Sequence, residues 1–231
     1  MRVLIVSDIH ANIAALRSVS EVADAVLFLG DCVTYGPHPS PCIAWVRERA
    51  TNAVRGNHDH AVGFDADPRC APAFARLADE TRRLHGRTTS DEERAWLRSL
   101  PERVRFSLGG ARFMAVHAAP SDPLYRYVPP DAPDEVWASE TERLDADVLL
   151  VGHTHQPFVR RIGDVLVANP GSVGLPKHGD PRAAFATWED GELHLHRQEY
   201  DVEETVRDLA SLPLPADVIA DLARGIRTGG A

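Results

Sequence analysis

Five times in this 231-residue chain a short strand-like run stops abruptly in Asp, Asn or His. Val3-Leu4-Ile5-Val6 runs into Ser7-Asp8-Ile9-His10, and Ala25-Val26-Leu27-Phe28-Leu29 into Gly30-Asp31. Asn52 to Arg55 runs into Gly56-Asn57-His58-Asp59, Arg112 to Val116 into His117, and Asp147 to Val151 into Gly152-His153-Thr154-His155. Unbroken apolar runs of four or five residues rich in Val, Ile and Leu read as strands buried on both faces. In α/β proteins ligands gather outside the carboxyl ends of such strands. The pattern therefore predicts a site there, built from hard oxygen donors and imidazoles. Three of the fragments carry Gly directly before the polar residue, which allows a tight turn and a close backbone approach.

Between these runs the spacing turns helical. Ala11 to Ala23 has apolar residues at Ile13, Leu16, Val19 and Val22, with Asn12 as a cap, and Cys42 to Arg49 reads as a second helix. The first third is thus β-α-β-α-β, which favours parallel pairing. Ala61 to Ser99 is polar and Arg-rich, with helical stretches at Ala73 to His85 and Asp91 to Leu100, and is expected to leave the sheet as a helical excursion beside the site. Ser90 to Glu93 has capping-box spacing. Strands are expected at Arg103 to Leu108 and Arg112 to His117, around a Gly109-Gly110 hairpin turn, then at Phe158 to Ile162, Val165 to Ala168, Ala183 to Trp188 and Leu193 to Glu199. Helices are expected at Asp134 to Leu144, Val202 to Leu209 and Ala216 to Arg224, with a frayed end from Thr228. No repeat or linker divides the chain, so residues 1–231 are expected to form one domain.

Composition narrows the partners. The chain has 25 Lys+Arg against 34 Asp+Glu, a formal charge of −9, which argues against a general nucleic-acid or anionic-membrane binder. A phosphate substrate stays open, because bound cations reverse the local field. No apolar run approaches the roughly 20 residues that span a bilayer. Cys32, Cys42 and Cys70 fit no metal-ligand pattern and read as reduced thiols. With no signal peptide expected ahead of the first strand, the expected location is cytoplasmic.

Asp8, His10, Asp31, Asn57, His117, His153 and His155 are mixed O/N donors of the kind that suit Mn²⁺, Fe, Zn²⁺ and related ions. They are more than one ion takes from protein. Two ions sharing a carboxylate fit the count.

In this order the fragments resemble those of the calcineurin-like metallophosphoesterase superfamily. Gly30-Asp31-Cys32-Val33-Thr34-Tyr35-Gly36-Pro37 and Asn169-Pro170-Gly171-Ser172-Val173-Gly174 resemble signatures of its small bacterial phosphodiesterase-like group. The resemblance implies a four-layer α/β/β/α sandwich of two mixed sheets. It implies one divalent ion on Asp8, His10, Asp31 and His155 and another on Asp31, Asn57, His117 and His153, with Asp31 bridging. Mn²⁺ is the first expectation, with Fe, Zn²⁺, Ni²⁺ or Mg²⁺ as alternatives. His58 corresponds to the catalytic histidine, acting as acid or charge stabiliser, while a metal-bridging hydroxide, accessible at neutral pH, attacks phosphorus. Protein Ser/Thr phosphatases of this superfamily carry Asp-Arg where this chain has Thr34-Tyr35. Without that guanidinium fork the site leans toward phosphodiesters. The expected activity is metal-dependent hydrolysis of a small phosphoester, nucleotides included, and most of all a diester. The alternatives are a phosphomonoesterase or nucleotide pyrophosphatase on the same site, and a non-catalytic interaction scaffold, which the presence of His58 disfavours. Oligomeric state is not legible.

Four further residues are weaker candidates for substrate contact or ligand support: Asn12, otherwise a helix cap; Tyr35, otherwise a packing residue; and the loop histidines His38 and His178. His60 and His85 read as surface residues, His194 and His196 as one solvated strand face, and Arg82-Arg83 as a solvated helix face.

Overall fold

Alternate residues of the first strand go to opposite cores, and this builds the layers. In the computed structural model, which describes residues 1–230, β1 (Arg2–Val6) sits mid-sheet. It pairs in parallel with β2 (Ala25–Phe28), Val3 opposite Ala25, and antiparallel with β9 (Ala183–Glu189), Val3 opposite Trp188. The two-residue β3 (Asn52–Ala53) extends the sheet beyond β2, and β10 (Glu192–Gln198) extends it beyond β9, giving the order β10-β9-β1-β2-β3. The second sheet contains β4 (Arg103–Leu108), β5 (Ala111–Val116), β6 (Val148–Leu150), β7 (Phe158–Ile162) and β8 (Val165–Asn169), in the order β4-β5-β6-β8-β7. Parallel pairs β5·β6 and β6·β8 lie at its centre, with antiparallel edges.

Val3 and Ile5 face the second sheet, packing with Leu27, Phe113, Leu150 and Trp188 in one buried cluster. Leu4 and Val6 face outward onto α1 (Ile13–Ser18) and α2 (Pro39–Arg49). On the far side Met114, Leu149 and Val167 pack under Trp137 of α6 (Asp134–Thr141). The result is the expected helix–sheet–sheet–helix sandwich. A fourth cluster joins α4 (Pro72–Thr88), α7 (Val202–Leu209) and α8 (Ala216–Thr228) around Leu209, Leu222 and Ile226, with Tyr35 and Leu175 at its inner end.

Local chemistry explains the hits and the departures. Gly109 and Gly110 both have positive φ, the conformation a two-residue hairpin turn needs. Ser90 Oγ accepts the Glu93 N–H while Glu93 accepts the Ser90 N–H, so α5 (Asp91–Ser99) begins on the expected capping box. The first helix is shorter than its periodicity suggests. It stops at Ser18, and Val22 is almost fully exposed, because the chain must turn for Asp24 to donate its N–H to Arg2 O and start β2 in register. The C-terminal helix runs four residues further than expected and does not fray within the described residues: Gly229 caps it in the left-handed region and accepts the Gly179 N–H at 2.6 Å. Ala231 lies outside the described residues.

Candidate metal centre

The five fragments converge at one end of the two sheets, and backbone conformation aims them. Asp8, His10, Asp31, His153 and His155 all have φ between 46° and 66°. Such left-handed residues cost about 1–3 kcal/mol each where they are strained, and they persist only when their surroundings over-determine them. Asp8 O accepts from the Gly174 N–H and the Ser172 hydroxyl, and the Asp8 N–H donates to Gly30 O. Glycine is obligatory at two of the turns. A β-carbon on Gly56 would overlap Asp31 Oδ1, and one on Gly152 would overlap Ser7 Oγ.

The result is two groups of buried or nearly buried donors, Asp8 with His10 and His155, and Asp31 with His117 and His153. In the first group His10 Nδ1–H donates to Val33 O at 3.1 Å, and His155 Nδ1–H to Leu175 O at 2.5 Å. Both Nε2 atoms are then bare lone pairs, 3.1 Å apart, with Asp8 Oδ1 3.2 Å from His155 Nε2. In the second group His117 Nδ1–H donates to Leu29 O at 2.7 Å. Its Nε2 faces Asp31 Oδ2 at 3.1 Å and Asn57 Oδ1 at 3.0 Å. Asn57 is oriented by its Nδ2–H to Pro68 O, so its carbonyl oxygen points inward, 3.1 Å from His153 Nδ1.

Acceptors meeting acceptors without a proton between them is unfavourable unless a cation joins them. Asp8 Oδ1 and Asp31 Oδ2 are buried and accept no hydrogen bond, while their sister oxygens are taken: Asp8 Oδ2 by Ser7 Oγ and the His153 N–H, Asp31 Oδ1 by the His58 N–H. Asp31 Oδ2 lies 3.1 Å from His117 Nε2 and 3.9 Å from His10 Nε2, so one carboxylate oxygen reaches both groups. Burial holds His10, His153 and His155 well below the ordinary histidine range, keeping their lone pairs available. Burial also pulls His117 down, but the Asp31 carboxylate outweighs it and lifts His117 to about 9. With no ion, a proton shared by that pair does what a cation would do. The donor set and its orphaned oxygens fit divalent metal ions of the imidazole-tolerant kind.

His58 sits in the first turn of α3 (Asn57–Phe64), which begins directly after the Gly56 turn. Its Nδ1 is 2.8 Å from Thr34 Oγ1, and its Nε2 is 3.4 Å from Cys70 Sγ at the wall of a cavity of about 310 Å³. Asp31, Asn57, His153 and His155 line one side of that cavity, and Arg69, Phe74, Tyr125, Tyr127 and Lys177 are among the residues on the others. Tyr35 is buried against His10 and His58 and directs its hydroxyl to Cys70, so it packs the wall. Asn12 caps α1 and ties it to Gly174 O and Tyr200, and its Oδ1 also accepts the Thr205 hydroxyl, so it braces the site from behind. His38 and His178 are not brought into the cavity: His38 pairs with Asp208 at 3.2 Å, and His178 accepts from Arg197. His85, expected at the surface, is buried, accepting the Thr34 N–H and donating to Gly36 O.

The sequence reading did not assign three residues that matter here. Asp59 accepts the N–H groups of Asp31, Cys32 and Gly56, holding the Asp31 backbone in its left-handed turn. Thr34, noted only as a departure from the phosphatases, takes the far side of His58. Lys177 enters the cavity, and a compositional signal could have found it: it is the only lysine in the chain.

A sandwich of two mixed sheets with such donors at its strand ends defines a class. The calcineurin-like phosphoesterase superfamily domain matches residues 1–191, and the chain belongs to that superfamily of phosphoester hydrolases. It is 31% identical to a metallophosphoesterase from Sphaerobacter thermophilus of known structure, covering 97% of this chain and all of that one, with a TM-score of 0.81. It is 28% identical to the uncharacterized protein MJ0912 of Methanocaldococcus jannaschii over 92% of this chain and 93% of that protein. It is 26% identical to the phosphodiesterase YfcE of Escherichia coli over 78% of this chain and 84% of YfcE.

Proposed function

We propose that the protein is a dinuclear phosphodiesterase acting on a small phosphoester. The observation that carries this reading is the meeting of the His10 and His155 lone pairs with Asp8 Oδ1, together with Asp31 Oδ2, which reaches from that group to His117. Asp8, His10, Asp31 and His155 would hold one ion, and Asp31, Asn57, His117 and His153 the other. When bound, two such ions supply Lewis acidity and a nucleophile at neutral pH. The remaining work falls to the chain. His58 stands beside the second group through its own N–H to Asp31 Oδ1, and its Nε2 faces the cavity. Burial, reinforced by His10, holds its pKa well below the ordinary value, so at neutral pH it meets the phosphoryl group as a neutral hydrogen-bond donor. Thr34 sets the tautomer: when its hydroxyl donates to Nδ1 rather than to Val33 O, the ring proton sits on Nε2. The substrate reading rests on Thr34-Tyr35 standing in for the Asp-Arg pair, and on the likeness to YfcE.

Metal removal tests the reading. Prolonged chelation is expected to abolish hydrolysis of bis(p-nitrophenyl) phosphate, and Mn²⁺ to restore it at least as well as Mg²⁺, because imidazole ligands disfavour Mg²⁺. Full activity in a sample that elemental analysis shows to be metal-free would end the reading. A higher kcat/KM for an aryl monoester than for the matching diester would promote the phosphomonoesterase alternative.

A further inference from the structure

Lys177 is the chain's single lysine among 25 basic residues, and it lines the same cavity as Asp31, His58, His153 and His155. Its ammonium makes no hydrogen bond or ion pair with any described residue; what it touches is the face of Phe74, 4.2 Å from the ring centre. Most arginines on this molecule pair with a carboxylate or a backbone carbonyl; the two cations that line this cavity do not, Arg69 lying over the Tyr125 ring at 4.3 Å as Lys177 lies over Phe74.

The loop that carries Lys177 is also fixed to the metal ligands. Leu175 O orients His155 through Nδ1, Ser172 Oγ donates to Asp8 O, and the Gly174 N–H donates to the same oxygen. On the other flank Gly229 O, at the end of α8, accepts the Gly179 N–H. The lysine is thus anchored a few residues from both sides. Burial lowers the Lys177 pKa from its ordinary value, with Asp8, Cys70 and Asp31 acting against it, and no carboxylate of the described residues forms an ion pair with it.

We propose that Lys177 is a substrate-binding cation of this site, its ammonium donating a hydrogen bond to a nonbridging oxygen of the substrate phosphate opposite the metal groups. This rests on the phosphoesterase reading above and extends it. The charge that phosphatases place beside the bridging Asp as arginine is supplied here from the loop after β8. A flexible ammonium offers point charge without a guanidinium's fixed fork, so it can serve a diester and a monoester alike. The reacting phosphate is thereby gripped from both sides, and the substrate class widens to small monoesters as the weaker substrates.

Because there is one lysine, ¹³Cε-lysine labelling gives one side-chain signal. In Zn²⁺-loaded protein, titration with inorganic phosphate is expected to shift that signal saturably, at the same midpoint that inhibition by phosphate gives. Lys177→Met is expected to keep two metal equivalents and to weaken phosphate inhibition about 10- to 100-fold, the usual worth of a hydrogen bond to a charged group. It should raise KM more than it lowers kcat, with a larger loss on the monoester than on the diester, and Lys177→Arg should recover most of the loss. A lysine signal that stays still while phosphate saturates the protein would overturn the proposal, as would an unchanged inhibition constant in metal-replete Lys177→Met. If the wild type cleaves no phosphoester, the hydrolase reading fails by itself, and the lysine signal still decides whether Lys177 binds phosphate.

Discussion

His58 and Thr34 form the smallest working unit of the site. Thr34 Oγ1 lies 2.6 Å from Val33 O and 2.8 Å from His58 Nδ1, so it can donate to one or to the other. The choice decides which ring nitrogen carries the proton. An aspartate in its place would pull the imidazole toward the charged form; a hydroxyl leaves it neutral. His58→Ala is therefore expected to lower kcat by about 10²- to 10³-fold, as for removal of one oxyanion donor, and by a similar factor for a nitrophenyl and an alkyl diester. A loss concentrated on the alkyl substrate, whose leaving group needs a proton, would instead make His58 a general acid. The comparison holds when elemental analysis gives the variant two metal equivalents.

Strand ends and helix faces set how much of this was legible. The convergence of the candidate ligands could be read because each lies at the end of a strand-forming run, and because Gly30, Gly56 and Gly152 mark turns that approach a neighbour closely. All of that is local. His85 was misread because its reason for being buried is remote: from α4 it reaches 51 residues back to the Thr34 N–H. Asp59 drew no assignment because two of its three backbone partners belong to the turn after β2, 27 and 28 residues back. Lys177 lies in a loop whose direction no periodicity records. The tie from α4 also makes the element sensitive to pH. Burial brings His85 down from 6.5 to about 4. Between those values the unfolded chain takes a proton that the folded chain refuses, so folding stability falls as pH drops through this window and returns as pH rises. Fully developed, the shift is worth about 3 kcal/mol. His85→Gln should flatten the dependence of urea-unfolding free energy on pH between about 4 and 6.5 by up to one proton, both proteins being chelated. Identical slopes would show that His85 does not carry the effect.

For the molecule as a whole, the joint between the sheets matters most, since Asp8, His10 and Asp31 come from one sheet and His117, His153 and His155 follow strands of the other. Phe113 fastens that joint: it stacks on Phe106, its register partner, with ring centres 5.1 Å apart, and meets Trp188 of the opposite sheet edge-on. Phe113→Ala should cost about 3–5 kcal/mol in chemical denaturation, and metal affinity should fall with it, because the two half-sites lose their common base. A loss below about 1 kcal/mol would mean that other contacts hold the sheets. The position of β1 has a consequence for the order in which the protein is made. It is an interior strand with β2 on one side and β9 on the other, and β9 leaves the ribosome only after residue 183. Until then one edge of β1 offers open N–H and C=O groups, and His10 waits for a partner, His155, 145 residues downstream. A nascent chain of intermediate length is an unfinished sheet with an adhesive border, the state in which chains of this size aggregate or recruit chaperones. Loading with metal thus belongs to the completed chain, and a stalled ribosome leaves a product unable to close either the sheet or the site.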